Sequence, residues 1–336
     1  MRKLGIDVGY GFTKAVAEAE GGIARHISFA SAVIAARNGD LSALSGGQVK
    51  HLLSMEAMAG GHSEYAVGSA ALALGADRAW ANGVRTGYLP LVIAGALAAG
   101  VYGQIEVALG LPLGVYLKKE ERARLRTAVE GTHVWASLDK AEAKQVSIER
   151  VRVYPQGYGA YLTALLNQPT LTGQFVGLID VGYKTTEYLL FSPADGVSVP
   201  DEARSGSLDV GVSMAIDAVR AYVAQEVGAA YSPPTALIEE AVARGVITVR
   251  GRAIQVSEAW QSAGAVLAEQ ISDAIHRTWG ERMDFLAALL LAGGGGEILS
   301  RHLPEAQVLP RPVYANAEGF LMRLQAQASD TRTALA

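Results

Sequence analysis

Apolar and polar positions alternate in "KLGIDVGYGFTKAVAE", from Lys3. Leu4, Ile6 and Val8 share one face, a Gly-x-Gly turn follows, and Val16 resumes the pattern, which predicts strand, turn, strand. From Ala30 to about Gly87 the pattern weakens among Gly, Ser and Ala, and a small irregular subdomain is expected there. "PLVIAGALAAG" is apolar all round, the mark of a buried helix. "QIEVALGLPLGVY" predicts a strand entering a Gly-Leu-Pro loop. "LKKEERARLRTAVEG" reads as a helix stopped by Gly131, "QVSIERVRVYP" as one strand or two ending at Pro155, and "QGYGAYLTALLN" as the start of a helix.

The order then recurs. "QFVGLIDVGYKTTEYLLF" is again strand, glycine turn, strand, and "DVGVSMAIDAVRAYVAQEVG" an amphipathic helix. "PPTALIEEAVARG" is a shorter helix between prolines and Gly245, and "VITVRGRAIQV" a hairpin about Arg250 and Gly251. A long helix, "SEAWQSAGAVLAEQISDAIHRTW", leads to "DFLAALLLAGGGGEILSRHL": buried strand, four-glycine loop, helix. Residues from Gln327 read as a frayed tail. Strands mixed with helices in both halves predict layered α/β domains. Domain I is expected over 1–155, with a smaller subdomain at about 30–87, and domain II over 156–326, with one at about 206–256. The segment from about 310 could pack back on domain I.

"IDVGYGFT" from Ile6 and "IDVGYKTT" from Ile179 agree at six of eight positions. Asp7 ends an apolar strand and is followed by Gly9 and Gly11. It is either a turn residue capping backbone N–H groups or part of a phosphate and metal site. In the second reading glycine lets backbone N–H groups face a phosphate, and the carboxylate holds a hydrated Mg²⁺ through water. The duplicate favours that reading, because Asp180, Gly182, Tyr183 and Thr186 take the places of Asp7, Gly9, Tyr10 and Thr13. Two such turns facing each other across a cleft suit a triphosphate, with Mg²⁺ between carboxylates that would otherwise repel. Neither turn is a P-loop or a dinucleotide fingerprint, since the Gly-Lys-Ser/Thr end and the third glycine are missing. Lys14 is either a solvated strand lysine or reaches back to the β- or γ-phosphate. "LAGGGGEIL", from Leu291, is either a packing turn or backbone laid against a nucleoside and its α-phosphate at a helix N-terminus; four glycines exceed what a turn needs.

Composition narrows the classes. The 336 residues suffice for two full cores, and half of them are apolar, which excludes a disordered chain. A net charge of −4 argues against a basic nucleic-acid face. The absence of cysteine excludes disulfides, thiolate metal sites and a cysteine nucleophile, and the six scattered histidines offer no metal-ligand pair. The chain opens on a strand rather than a secretory signal. Its most apolar run, "YLPLVIAGALAAGVYG", is short of the ~20 residues of a membrane-spanning helix, so a soluble cytoplasmic protein is expected.

In order, "IDVGYGFTK", "VYPQGYGAY", "LIDVGYKTTEYLLF" and "LAGGGGEIL" resemble the superfamily of actin, the sugar kinases and the heat-shock ATPases. Within it, "GLPLGVY", "VYPQGYGAY", "DVGVSMAIDAV" and "VYANAEGF" are most similar to bacterial and archaeal actin-like proteins of the ParM type. The resemblance implies an actin-like fold, two related α/β domains around a nucleotide cleft, with ATP (or GTP) and Mg²⁺ as cofactors. It gives Asp7 and Asp180 to the Mg²⁺, through water, and to positioning of the attacking water. Gly9, Tyr10, Gly11, Thr13 and Lys14 would hold one side of the phosphates, and Gly182, Tyr183, Lys184 and Thr185 the other. Gly293, Gly294, Gly295 and Glu297 would lie along the nucleoside. Gln156 falls where the family orients the attacking water; its alternative is a helix-start residue satisfying nearby backbone. The ParM type carries Glu there and actin Gln, and an amide orients water without taking its proton, so the implied hydrolysis is slow. The implied function is a nucleotide-dependent ATPase that polymerises with itself into head-to-tail helical filaments for plasmid segregation. It would reach DNA through an adaptor protein, with no direct nucleic-acid contact and no membrane anchor. The alternatives are a small-molecule kinase, with Asp209 as candidate base, and a non-polymerising regulatory ATPase.

Overall fold

The computed structural model describes residues 1–18, 24–35, 52–76, 87–228, 231 and 233–334. The chain forms two compact units, Met1–Asn167 with Val313–Ala336, and Gln168–Pro312.

In the first unit the described strands are β1 (Arg2–Val8), β2 (Phe12–Glu18), β3 (Ala24–Ala30), β4 (Val33–Ala35), β5 (Leu52–Ala57), β6 (His62–Val67), β7 (Gly103–Leu111), β8 (His133–Leu138) and β9 (Lys144–Pro155). They form one sheet in the order β3-β2-β1-β7-β9-β8-β5-β6-β4. β1 runs antiparallel to β2 and parallel to β7, which is parallel to β9. The helices are α1 (Ser69–Ala73), α2 (Tyr88–Ala98), α3 (Leu113–Tyr116), α4 (Lys119–Val129), α5 (Tyr158–Asn167) and a C-terminal helix (Ala315–Ala334).

The period of two along β1 sorts its residues between two layers. Leu4, Ile6 and Val8 join the core with α2, whose Leu91, Val92 and Ile93 are fully buried. Each such side chain contributes about 1.5–3 kcal/mol of hydrophobic stabilisation. Gly5 faces the other way, against the C-terminal helix, where a Cβ would stand 2.1 Å from the Ala317 carbonyl oxygen. Asp7 shares that face of the strand, two residues on.

Several elements differ from the sequence pattern. β4, β5, β6 and α1 order the described part of the stretch read as irregular; 36–51 and 77–86 lie outside the described residues. β5 finds its partner in β8, some eighty positions on, so no local period announces it. The loop after Pro112 turns one helical round as α3, and "QVSIERVRVYP" is the single strand β9. The first unit runs past Pro155 to Asn167, because α5 packs against the C-terminal helix. That helix continues to Ala334 where the sequence suggested fraying from Gln327.

The second unit repeats the arrangement with β10 (Val176–Val181), β11 (Thr186–Ala194), β12 (Val197–Pro200), β13 (Gly206–Leu208), the hairpin strands β14 (Val246–Val249) and β15 (Arg252–Gln255), β16 (Ala288–Ala292) and β17 (Gln307–Val308). The sheet order is β12-β11-β10-β16-β17, with β13 on β11. Thus β11-β10-β16-β17 has the order and strand senses of β2-β1-β7-β9. Helices α6 (Val212–Val227), α7 (Thr235–Arg244), α8 (Ser257–Trp279) and α9 (Gly296–Ser300) complete it. Ile179 and Val181 pack with Leu267, Ile271 and Trp279 of α8, and Gly177 is small because Trp279 lies over it. Arg250 and Gly251, both at positive φ, close the β14–β15 hairpin.

Candidate functional site

In the first unit the site is built on the turn between β1 and β2. Asp7 stands opposite Lys14 in the strand register and is 4% exposed. Gly9 N–H donates to the Phe12 carbonyl at 3.1 Å and closes the turn. A Cβ on Gly9 would lie 3.2 Å from Lys14 Nζ, so the glycine leaves room for the ammonium, which sits 3.4 Å from Asp7 Oδ2. The other carboxylate oxygen, Oδ1, accepts from Gln156 Nε2 at 2.6 Å. Gln156 is buried at the end of β9, where its backbone N–H donates to the Leu111 carbonyl of β7. The Asp7 side chain thus meets the Lys14 side chain at one oxygen and the Gln156 amide at the other. Thr13 is fully buried and shares a hydrogen bond with Ser31 at 2.9 Å, while Tyr10 is half-buried beside the core. Gly11 lends its carbonyl to the Ser31 N–H.

The second unit carries the same turn between β10 and β11. Asp180 is 6% exposed, and Gly182 N–H donates to the Thr185 carbonyl at 2.9 Å. The N-terminal N–H groups of Val212 and Ser213 in α6 donate to the carbonyls of Gly182 and Tyr183, so the helix end holds the turn. Thr186 matches Thr13 in burial and in having its hydroxyl engaged, here on the Val210 carbonyl. Lys184 is exposed and Thr185 buried.

The glycine loop follows β16, the parallel neighbour of β10. Gly293 has φ 79°, and a Cβ there would stand 2.5 Å from Asp180 Oδ1 and 2.3 Å from the Val181 carbonyl oxygen. Gly295 N–H donates to that carbonyl, and its own Cβ would meet Val181 Cγ1 at 2.3 Å. Gly294 is open and exposed, and Glu297 is exposed on α9. Asp180 and Gly293–Gly295 therefore gather at the carboxyl ends of two parallel strands, the usual place for a ligand in an α/β sheet. Asp209 lies exposed between β13 and α6.

Three residues escaped the sequence reading. Glu187 takes the place of Lys14 opposite Asp180; it is 2% exposed and accepts from Ser207 Oγ at 2.8 Å. The two copies of the turn thus differ in charge at one position, a signal visible once they are aligned. Ser31 reaches the first turn, and Asn316 the start of α5, from elsewhere in the chain, and neither carries a local signal.

Among the described residues no group of three His, Asp or Glu could cage a metal ion. The donors are single buried carboxylates, each beside a glycine turn that brings backbone close. That set fits Mg²⁺, which keeps waters and takes one or two carboxylates together with phosphate oxygens.

Comparison with known proteins identifies the fold. The family described as "Actin like proteins N terminal domain" matches residues 5–159, and "Archaeal actin homologue MreB-like, C-terminal" matches 178–305. Between them they take in most of the chain, which belongs to the actin-like superfamily. Its fold is that of ParM and the archaeal actin homologues. A 15-stranded ParM filament structure from Clostridium botulinum superposes with a TM-score of 0.82 at 22% identity, covering 97% of this chain and 99% of that one. An archaeal actin homologue in complex with ADP gives 0.75 at 25% identity, over 97% and 100%. Bacillus thuringiensis ParM with ATP gives 0.68 at 14%, over 98% and 99%. A sequence search of curated proteins finds no match. Among the described residues no helix is long and apolar enough to cross a membrane.

Proposed function

We propose that this protein is a nucleotide-switched actin-like ATPase that polymerises with itself. The observation that carries the reading is the duplicated Asp-Gly turn at the same place in a duplicated strand order, with the Gln156 amide on the first carboxylate. One Mg²⁺-ATP would be taken by both turns. Gly9, Tyr10, Gly11 and Lys14 serve one side of the phosphates, and Gly182, Tyr183, Lys184 and Thr185 the other, with Thr13 bracing its turn from within. Gly293–Gly295 and Glu297 serve the nucleoside. Asp7 and Asp180 would hold the Mg²⁺, and the ion would supply neutralisation of phosphate charge. Gln156 orients the attacking water; the new bond forms at the γ-phosphorus, the bond to the bridging oxygen breaks, and ADP and phosphate leave. An amide holds water without removing its proton, so turnover is slow.

Both turns bind one ligand only in the conformation where both reach it, so ATP favours that state and hydrolysis releases it. Subunits stacking head to tail in that state make a contact that does not close on itself and grows as a helix. The role proposed is plasmid or other DNA segregation in the cytoplasm, with a DNA-binding adaptor between filament and DNA, as the net charge of −4 favours.

The test is sedimentation and electron microscopy of the pure protein with Mg²⁺-ATP, Mg²⁺-ADP and EDTA. Filaments that pellet with Mg²⁺-ATP and fade as phosphate is released support the reading. A protein that stays in the supernatant with every nucleotide, and whose ATP turnover rises on adding a sugar, is a kinase.

A further inference from the structure

The group that caps the turn immediately after Gln156 comes from the far end of the chain. α5 begins at Tyr158, immediately after Gly157, whose φ of 82° only glycine adopts easily. The first N–H groups of a helix need acceptors from outside it. Here one atom serves two N–H groups at this end: Asn316 Oδ1 accepts from Gly157 N–H at 2.8 Å and from Ala160 N–H at 3.2 Å. Asn316 belongs to the C-terminal helix and is 5% exposed. Asparagine is among the best capping residues, and it caps here in trans.

The packing around it shows a built contact. A Cβ on Gly319 would stand 1.8 Å from the Gly159 carbonyl oxygen, and one on Gly159 would stand 2.5 Å from the Asn316 carbonyl oxygen. The two helices therefore cross backbone to backbone, which is what lets the short Asn316 side chain reach the start of α5. Thr163 Oγ1 donates to the Ala315 carbonyl at 2.8 Å and fixes the crossing one turn further on. Phe320, from the same helix, lies against Gly110 and stacks on Tyr154 with centroids 5.8 Å apart, and Gln156 Cγ closes on Gly110 from beside it. Gln156 is thus held by β7 at its backbone, by Asp7 at its amide, and by the Asn316-capped turn immediately after it.

We propose that Asn316 is a positioning residue for hydrolysis: its carboxamide sets the start of α5, and through it the placement of the Gln156 amide on Asp7. This rests on the reading of Gln156 as the group that orients water. A purely structural cap would lower stability and leave the chemistry alone; a positioning cap lowers kcat while nucleotide binding holds.

The experiment compares the full-length chain with Asn316→Ala, Asn316→Asp, which keeps the accepting oxygen, and Gln156→Ala. Two quantities are read: kcat and KM for phosphate release with Mg²⁺-ATP, and, in the nucleotide-free protein, the Gln156 side-chain amide resonance in ¹⁵N-glutamine-labelled protein, identified by its loss in Gln156→Ala. The expected result for Asn316→Ala is a shifted, broadened Gln156 resonance and a kcat at least tenfold lower, with KM within about twofold, a tenfold change being about 1.4 kcal/mol. Asn316→Asp should restore both. An unmoved Gln156 resonance in Asn316→Ala overturns the proposal, and it leaves the reading of Gln156 intact if Gln156→Ala is itself slow. A shifted resonance with unchanged kcat also overturns it, and takes the catalytic reading of Gln156 with it. Should Asn316→Ala fail to fold, Asn316→Ser, which shortens the reach, carries the same two readouts.

Discussion

The Gln156 side-chain amide donates to Asp7 Oδ1 at 2.6 Å across 149 residues of sequence. The bond joins the end of β9 to the end of β1 inside one sheet, and each residue is at most 8% exposed. Removing it with Gln156→Ala should slow phosphate release about a hundredfold, the scale of the loss when a reacting group is no longer positioned. The same variant should lengthen filament lifetime, read by scattering after the ATP is spent. Normal disassembly kinetics would count against the role.

Gln156→Glu puts a second carboxylate on Asp7 with no donor between them. Like charges this close raise the pKa of one group above its unfolded value of about 4. The folded state then binds a proton more readily than the unfolded state. The variant should therefore be destabilised most at pH 7–8, by about 1–3 kcal/mol, and should approach the parent as pH falls toward 5. Thermal melts without nucleotide at the two pH values measure this; a pH-independent difference would contradict it.

Asp180→Ala should abolish hydrolysis while far-ultraviolet circular dichroism stays unchanged, since the carboxylate ends a strand whose core side chains remain. Undiminished phosphate release would remove Asp180 from the mechanism.

Gly293→Ala and Gly294→Ala are neighbours with opposite expectations. The first forces a Cβ against Asp180 and the Val181 carbonyl at positive φ and should cost at least about 2 kcal/mol in urea unfolding. The second meets nothing within 4 Å and should stay within about 0.5 kcal/mol of the parent.

Burial beside Phe320 holds the Tyr154 phenol above its ordinary pKa. A raised folded pKa means its stabilising effect is full below the unfolded value, near 10, and is lost as pH rises toward the folded one. Tyr154→Phe should therefore flatten the decline in stability as pH rises above about 10, followed by chemical denaturation.

The parts of this protein written locally are those whose partners lie within a few residues. The alternation of Leu4, Ile6 and Val8, the Gly9 and Gly182 turns and the Arg250-Gly251 hairpin depend on side-chain period and backbone freedom, and both show in a short window of sequence. The duplicate phrase showed in addition that one turn is built twice, and its mismatch, Lys14 against Glu187, was there to be aligned.

What the tertiary structure alone decided is what reaches those turns from afar. Gly5 and Gly319 are small because another backbone presses on them, and a glycine by itself does not say which. β5 beside β8, α5 within the first unit and Asn316 over Gly157 each join residues about eighty to 160 positions apart. Such contacts are selected by the packing of whole layers rather than by any local preference. The sequence alone determined which turns exist; the return of the C-terminal helix determined how firmly the first of them is held.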